Sequence, residues 1–274
     1  MRPVGPSAYA SSIRTWAAVA SLLIGVAAPA TATAAGMQAV GQTRELQTSA
    51  QSDMDFLSAP GFEPFDAMIT SSSCQFGMCF WNGAATQIST IDALEIKAKG
   101  NASAGQEMGV WCQGCATALS TCEVLFELPG QTQYGLSGQL AASSYFSFPG
   151  TASTVVLTGP SGVLFSAQAV PSQIVPVSTS GSLPPGSYSL KVYSTVPGLS
   201  FSPLTETASF DVTFTIIECP GDVDAAGMVG GADVGLLLAA WGSPGGEADL
   251  DESGIVDGED LGLLLAAWGP CPSG

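Results

Sequence analysis

Two acidic, glycine-containing segments near the end of the chain have the residue types and the spacing of calcium-binding loops. The first runs from Asp222 to Asp233 and the second from Asp249 to Asp260, at a constant offset of 27 residues. Ca²⁺ takes about six to eight oxygen ligands, which a twelve-residue loop supplies from positions 1, 3, 5, 7, 9 and 12, with glycine at position 6. Both segments have Asp at positions 1, 3 and 12 and Gly at position 6. The repeat therefore predicts two calcium sites.

The two loops differ in the number of side-chain ligands that they offer. Positions 5 and 9 are Ala226 and Gly230 in the first loop but Ser253 and Asp257 in the second. We expect the second site to bind Ca²⁺ more tightly, with water replacing the missing ligands of the first site. The predicted ligands, counting the carbonyl at position 7 and allowing water at position 9, are Asp222, Asp224, Met228 and Asp233 in the first loop and Asp249, Asp251, Ser253, Ile255, Asp257 and Asp260 in the second.

Each loop continues into the same apolar tail, Gly-Leu-Leu-Leu-Ala-Ala-Trp-Gly, which ends at Gly242 or Gly269. Because a carboxylate at a helix start satisfies free N–H groups and suits the helix dipole, Asp233 and Asp260 are expected to begin short helices at 234–241 and 261–268. Residues 219–221 lead directly into the first loop, so each unit is a loop followed by one helix. One such acidic loop could be an ordinary solvated turn, but two in register favour a metal module.

This tandem repeat resembles the type I dockerin module over residues 221–269. The resemblance implies a pair of F-hands and, as partner, a cohesin domain on a scaffold or cell surface. Proteins of that family usually carry a polysaccharide-degrading enzyme or a binding module. The chain departs from the family pattern at loop positions 10 and 11, which are Gly231-Ala232 and Gly258-Glu259 instead of a Ser/Thr pair. The usual Lys/Arg pair of the helix is replaced by Leu238-Ala239 and Leu265-Ala266.

Two cysteines bracket the repeat pair, Cys219 before it and Cys271 after it. Two symmetric loop–helix units bring their outer ends together, so we predict a disulfide that closes the module. A covalent loop of about 50 residues contributes roughly 3–4 kcal/mol on the chain-entropy estimate.

The first 35 residues have the pattern of a secretory signal. Arg2 and Arg14 supply a positive region, residues 16–28 are apolar, and residues 30–34 offer small-residue cleavage sites. The alternative is an uncleaved anchor, although the apolar run is short for a membrane span. We therefore expect a secreted or cell-surface protein with no membrane segment after cleavage.

The excess of acidic over basic residues argues against two classes of partner, nucleic acid and anionic membranes. The chain carries a net charge of −17, and from Cys219 onward it has ten acidic residues and no basic one. Such a surface repels nucleic acid and anionic membranes, so neither is expected as a partner.

Residues 36–55 are expected to be a flexible lead, with an edge strand as the alternative, and residues 56–218 an all-β domain. Alternation is clearest where Phe210, Val212, Phe214 and Ile216 share one face. Short apolar runs separated by Gly and Pro predict an antiparallel sandwich or jelly roll, followed by the helical module at residues 219–274. The predicted strands are 88–97, 124–128, 134–140, 154–158, 163–169, 188–192 and 209–216.

Five cysteines lie in the β domain, which favours disulfides with at least one thiol left over, against redox or zinc alternatives. They are Cys74, Cys79, Cys112, Cys115 and Cys122, and the sequence does not give their pairing.

The chain contains no histidine, which removes Ser-His-Asp and Cys-His catalysis. Glycoside hydrolysis needs only two carboxylates, for which the candidates are Asp92, Glu95, Glu107, Glu123 and Glu127. They are more simply explained as solvated side chains on strands. Four aromatic side chains could stack on sugar rings, namely Trp81, Trp111, Tyr134 and Tyr145. The alternative is that they pack in the core or at its edge.

The leading interpretation is a non-catalytic extracellular binding or structural protein that is displayed through a calcium-binding tail. The alternative is a carbohydrate-active enzyme, a glycoside hydrolase or lyase, carried by its dockerin. In both interpretations a cohesin-like domain and a polysaccharide are the candidate partners.

Overall fold

The computed structural model describes residues 36–50, 53–75, 79–107, 116–144, 150–197, 205–224 and 226–271, which are mostly strands. The predicted signal segment, residues 1–35, lies outside this part of the chain. No helix among the described residues is long and apolar enough to cross a membrane. The twelve long strands are β1 (Gln38–Ala50), β2 (Asp53–Ser58), β3 (Phe65–Gln75), β4 (Cys79–Ile91), β5 (Glu95–Glu107), β6 (Ala116–Leu128), β7 (Thr132–Ser143), β8 (Ala152–Gly159), β9 (Gly162–Ala169), β10 (Gln173–Leu183), β11 (Gly186–Val196) and β12 (Thr205–Ile217).

These strands form two six-stranded antiparallel sheets. The first sheet has the order β2-β1-β6-β11-β8-β9 and the second the order β10-β7-β12-β5-β4-β3. One hydrophobic core lies between them and takes side chains from both sheets, among them Phe126, Val192, Leu136 and Phe214. The predicted β-sandwich is therefore confirmed.

The alternation of β12 shows why this sequence packs as a half-buried strand. Phe210, Val212, Phe214 and Ile216 are all buried, while the residues between them are more exposed. The Phe214 ring lies 5.2 Å from that of Phe126 in the facing sheet and 5.7 Å from that of Tyr134 in the neighbouring strand. Because these rings bury large apolar area and contact one another at favourable distances, they anchor the centre of the core.

The expected flexible lead is wrong for most of its length. Residues 38–50 form β1, which is the second strand of the first sheet and pairs with β6 along almost its whole length. Arg44 of β1 is buried and donates to the carbonyls of Gly61 and Glu63 and to Ser89 of the other sheet. Its guanidinium lies 5.6 Å from the centre of the Phe65 ring. The segment is polar although it is a strand, because two of its buried positions hold Arg44 and Thr48 and most of its other positions are partly or fully exposed.

The predicted strand 88–97 is also wrong, because it is a hairpin. The chain turns at Asp92, whose Oδ1 accepts hydrogen bonds from the backbone N–H groups of Leu94 and Glu95. This is the aspartate turn that stabilises a tight connection. Strands β2, β3 and β10 were not predicted, and the other predicted strands lie within observed ones.

The tail contains two nine-residue helices, α1 (Gly231–Ala239) and α2 (Gly258–Ala266). They start three residues earlier than expected, so Asp233 and Asp260 do not cap them but lie at the third helical position. Asp233 Oδ2 accepts from the N–H of the cap residue Gly230 at 2.7 Å, and Asp260 Oδ2 from that of the cap residue Asp257 at 2.7 Å. The carboxylates reach back to the helix start, as in a capping box.

In the tail, the loop of each unit forms backbone hydrogen bonds with the residues that follow the helix of the other unit. The short strand β13 (Met228–Val229) of the first loop pairs with β14 (Gly269–Pro270), which follows α2. Val256 of the second loop exchanges backbone hydrogen bonds with Gly242 and Ser243, which follow α1. Val229 and Val256, at position 8 of the two loops, share one core with Leu237, Ala248 and Leu264.

Candidate calcium-binding site

The first loop brings together three of its predicted ligands. Carboxylate oxygens of Asp222, Asp224 and Asp233 all lie within 4.8 Å of one another. Backbone N–H groups of the loop hold them in place: Gly227 donates to Asp222 Oδ2 at 2.8 Å, and Asp224 donates to Asp233 Oδ1 at 3.0 Å. The arrangement is a half-buried concentration of negative charge at the start of α1.

The second loop repeats this geometry with Asp249, Asp251 and Asp260, whose oxygens also lie within 4.8 Å of one another. Asp260 is fully buried, and its Oδ1 accepts from the N–H of Leu250 at 2.6 Å and of Asp251 at 3.2 Å. Asp249 Oδ2 accepts from the N–H of Gly254 at 3.0 Å. Asp249 Oδ1, in contrast, is buried and has no hydrogen-bonding partner within the described structure. A buried carboxylate oxygen without a partner is costly, so this atom fits a bound cation.

The glycines at position 6 make the sharp turn that the loop needs. Gly227 has φ +85° and Gly254 has φ +92°, which L side chains rarely adopt. The turn lets residues on both sides of the glycine point toward the same centre.

The other predicted ligands of the second loop are engaged differently. Asp257 lies outside the group of three carboxylates and caps α2, with its Oδ1 accepting from the N–H of Glu259 at 2.9 Å. The Ser253 hydroxyl donates to the carbonyl of Ile255 at 3.2 Å. The role of Asp257 as a helix cap could have been read from the Asp-x-x-Asp spacing, which is close to a capping box. In the first loop Gly230 occupies the capping position, and the carbonyl of Met228 belongs to the short strand β13.

The electrostatics of the loops reflect burial and crowding of carboxylates. Burial raises the pKa of Asp222, and the neighbouring charge of Asp233 adds to this effect although N–H groups of the loop oppose it. For Asp233, burial acts to raise the pKa, but the N–H groups of Asp224 and Gly230 outweigh it and the pKa is lowered. The N–H group of Ser253 lowers the pKa of Asp251. A divalent cation would relieve the repulsion within each group of three.

The predicted disulfide between Cys219 and Cys271 is confirmed, with a Cα–Cα distance of 5.5 Å. In the β domain, Cys122 is a buried free thiol, as the odd number of cysteines required. The side chains of Cys74 and Cys79, and the whole of Cys112 and Cys115, lie outside the described residues.

The acidic candidates of the β domain are held in ordinary structural interactions. Glu95 pairs with Lys97 at 2.6 Å, and Glu123 pairs with Lys191 at 2.9 Å. Glu127 lies on the same outer face as Glu123 and accepts from Ser187 at 3.5 Å. Asp92 forms the turn described above, and the side chain of Glu107 lies outside the described residues.

The two aromatic candidates that the structure describes are packing residues. Trp81 and Tyr134 are buried, with exposed fractions of 1% and 7%, and belong to the core. Trp111 and Tyr145 lie outside the described residues.

No family model matches this chain, and no curated protein matches it. A solved structure of the xylan-binding domain CBM22-1 of Paenibacillus barcinonensis Xyn10C is similar at 9% identity and a TM-score of 0.22, over 55% of this chain and 95% of that domain. The GH31 alpha-xylosidase of Xanthomonas citri is similar at 10% identity and a TM-score of 0.17, over 69% of this chain and 33% of that enzyme. TM-scores this low establish neither a shared fold nor a shared ligand.

Proposed function

We propose that the tail, residues 219–274, is a dockerin-like module that binds two Ca²⁺ ions and attaches the β-sandwich to a partner outside the cell. The observation that carries this proposal is the repeated group of three aspartates at positions 1, 3 and 12, with a buried and unpartnered Asp249 Oδ1 in the second group. Oxygen ligands at this spacing suit Ca²⁺.

Calcium would supply much of the folding free energy of the tail. Within the described part of this module the core has five buried apolar side chains, which is a small apolar contribution for about 50 residues. Three carboxylates in each loop repel one another in the absence of a cation. Because the ion binds the folded loop and not the unfolded chain, binding free energy becomes folding free energy.

Both helices leave large apolar side chains exposed at equivalent positions. Leu236, Leu238 and Trp241 follow the first loop, and Leu263, Leu265 and Trp268 follow the second, each about half exposed. Several large apolar side chains exposed on one small module favour an interaction surface. Since the tail has acidic residues and no basic ones, its partner would present apolar side chains flanked by Lys or Arg, in a cohesin-like domain on a scaffold or cell surface.

The sandwich would be the displayed part, with a binding or structural role and no catalysis. Glu95 and Glu123, two of the carboxylates considered for glycoside hydrolysis, are each paired with a lysine on a strand. The alternative, a carbohydrate-active enzyme, needs two free carboxylates about 5–10 Å apart. The described part of the sandwich gives that alternative no specific support.

A calcium titration of the full chain, followed by calorimetry and thermal unfolding, tests the proposal. We expect two binding events, of which Asp249→Ala or Asp260→Ala abolishes the tighter one. Glu247→Ala, which removes an exposed carboxylate of the same tail outside both groups of three, serves as the matched control and should leave both events intact. If the chain shows no saturable binding at millimolar Ca²⁺, the proposal is contradicted.

A second experiment tests attachment. A panel of cohesin domains is offered to the calcium-loaded chain, to the apo chain and to a Leu263→Asp variant that keeps the calcium sites. Capture that requires both calcium and Leu263 supports the dockerin role, while capture by none of the domains contradicts it.

A further inference from the structure

The outer face of the second sheet contains a groove of about 610 Å³ that crosses five neighbouring strands. One wall is a continuous row set by strand pairing, in which Asp66 lies opposite Ile88, Ile88 opposite Lys99, Lys99 opposite Asp211, and Asp211 opposite Gln139. Neighbouring strands are separated by about 4.8 Å, so the row extends roughly 19 Å at right angles to the strands. The groove therefore extends across the face of the sheet, at right angles to the strands.

A second row runs beside the first and contains smaller side chains at its centre. Its members, in the same strand order, are Met68, Thr86, Asn101, Ser209 and Ala141. The side chains of Thr86, Asn101 and Ser209 on the central strands are shorter than those of the first row. They project less from the sheet and so form the floor of the groove. Met68 and Ile88 are 67% and 53% exposed and form an apolar end.

The groove offers hydrogen-bonding groups of both kinds. The side-chain amides of Asn101 and Gln139 have no hydrogen-bonding partner among the described residues. Each amide both donates and accepts, as a sugar hydroxyl does. Lys99 and Asp211 pair at 3.0 Å with both side chains well exposed, so each can also reach a ligand.

We propose that this groove binds a neutral polysaccharide chain that lies across the strands. The amides and the Lys99–Asp211 pair would contact hydroxyl groups, and Met68 and Ile88 would contact the apolar faces of the sugar rings. A chain with a net charge of −17 disfavours anionic polymers, which is why the ligand is neutral. A peptide is disfavoured because the groove lies across the face of the sheet, where four of its five strands are inner strands with backbone groups paired on both sides, and only β3 is an edge strand.

The two carboxylates of the groove are placed for binding and not for hydrolysis. Asp66 and Asp211 lie three strands apart, about 14 Å along the row, which exceeds the separation of about 5–10 Å that glycoside hydrolysis requires. Asp211 is in addition paired with Lys99. The site therefore holds the polymer without cleaving it.

Native affinity electrophoresis of the full chain tests this proposal, because an acidic protein enters the gel readily and slows when it binds an embedded polymer. We expect xylan or hydroxyethylcellulose to retard the chain, and carboxymethylcellulose, which has the same backbone as hydroxyethylcellulose with added charge, to retard it much less. The double variant Asn101→Ala/Gln139→Ala should bind roughly tenfold more weakly, since it loses two hydrogen-bonding groups. Gln38→Ala, on the exposed face of the first sheet, is the matched control and should bind as the parent does.

A second variant fills the groove. Ser209→Phe places a bulky, strand-compatible side chain in the trough and should abolish retardation while circular dichroism remains that of the parent. Failure of every neutral polymer to retard the parent chain, or equal retardation of parent and double variant, would overturn the proposal.

The groove deepens the binding role proposed for the sandwich, and it is independent of the calcium sites. Retardation is therefore also measured with the Asp249→Ala chain, in which the tighter calcium site is removed. Polysaccharide binding that persists in this variant supports the groove whatever the fate of the tail. Loss of binding in this variant, with the groove residues intact, would overturn the assignment of the site to the groove.

Discussion

The sandwich and the tail are stabilised by different means. The sandwich has a continuous core between two six-stranded sheets, with rings such as Phe126, Tyr134 and Phe214 in mutual contact. The tail, as far as the structure describes it, has five buried apolar side chains, a disulfide and two clusters of carboxylates. A large core makes a fold self-sufficient, whereas a small one needs covalent or metal support. The stability of the sandwich should thus be insensitive to calcium, and that of the tail should depend on calcium and on the Cys219–Cys271 disulfide.

The largest effect is expected from Phe214→Ala, which removes a fully buried ring from the centre of the sandwich. The lost burial and the cavity should lower the free energy of unfolding of the sandwich by about 4 kcal/mol. Urea denaturation measures this loss, and calcium titration of the same variant should be unchanged. Leu125→Ala, at an exposed position 45% accessible to solvent, should cost far less. A change in calcium affinity with Phe214→Ala would show that the two regions are not independent.

The second-largest loss of stability is expected in the tail alone, when its disulfide is removed. Cys219→Ser/Cys271→Ser opens a covalent loop with a sequence separation of 52 residues and should lower the stability of the tail by about 3 kcal/mol. Hydrogen exchange in the presence of a calcium chelator should show faster exchange at α1 and α2 but unchanged protection in β6 and β12. Equal loss of protection in the sandwich would contradict the separation of the two regions.

A smaller effect is expected at the turn of the second loop. Gly254 has φ +92°, so Gly254→Ala strains the backbone and should cost about 1–2 kcal/mol in the calcium-loaded tail. Gly262→Ala is the matched control, because this glycine lies inside α2 with open space around its Cα. The control should instead stabilise the tail by about 0.5–1 kcal/mol, since alanine favours helix. Chemical denaturation of the two variants at saturating calcium gives both values.

At neutral pH the smallest effect is expected at the thiol of Cys122. Burial raises the pKa of this thiol to about 12, while the nearby Arg44 charge opposes the shift. At pH 8 the thiol is therefore protonated and inaccessible, and a thiol reagent should not label it until urea unfolds the sandwich. Above about pH 9 the thiol ionises in the unfolded chain before it ionises in the folded one, so the stability of the sandwich should decline as the pH rises toward 12. Mass spectrometry of the peptide that contains Cys122 gives the labelling, and rapid labelling of the folded chain would contradict its burial.

Features that depend on local spacing, such as the repeated loops and the alternation of one strand, could be predicted from the sequence. The positions of Asp222, Asp224 and Asp233, and of their counterparts 27 residues later, follow from loop spacing alone, and the structure brings both sets together. The alternation of Phe210 to Ile216 likewise predicted a half-buried strand. The start of each helix was misplaced because an aspartate that caps from within the first turn looks, in sequence, like one that precedes it.

Other features depend on contacts that no local pattern encodes. In β1 the buried positions 44 and 48 are arginine and threonine, so the apolar alternation that marks a strand is interrupted. The buried arginine is tolerated because backbone carbonyls distant in sequence receive its N–H groups. The groove needs the strand order, which places Asp66, Lys99 and Gln139 in one row although they are far apart along the chain.

The bond between Cys219 and Cys271 also changes what a single proteolytic cut can do. Every peptide bond between these residues lies inside a closed covalent ring. A protease that cuts once within the ring, for example in the exposed segment 244–247 between the two units, leaves both fragments joined through sulfur. The apolar faces of α1 and α2 would stay tethered to the sandwich after such a cut, and only reduction or a second cut would release part of the tail.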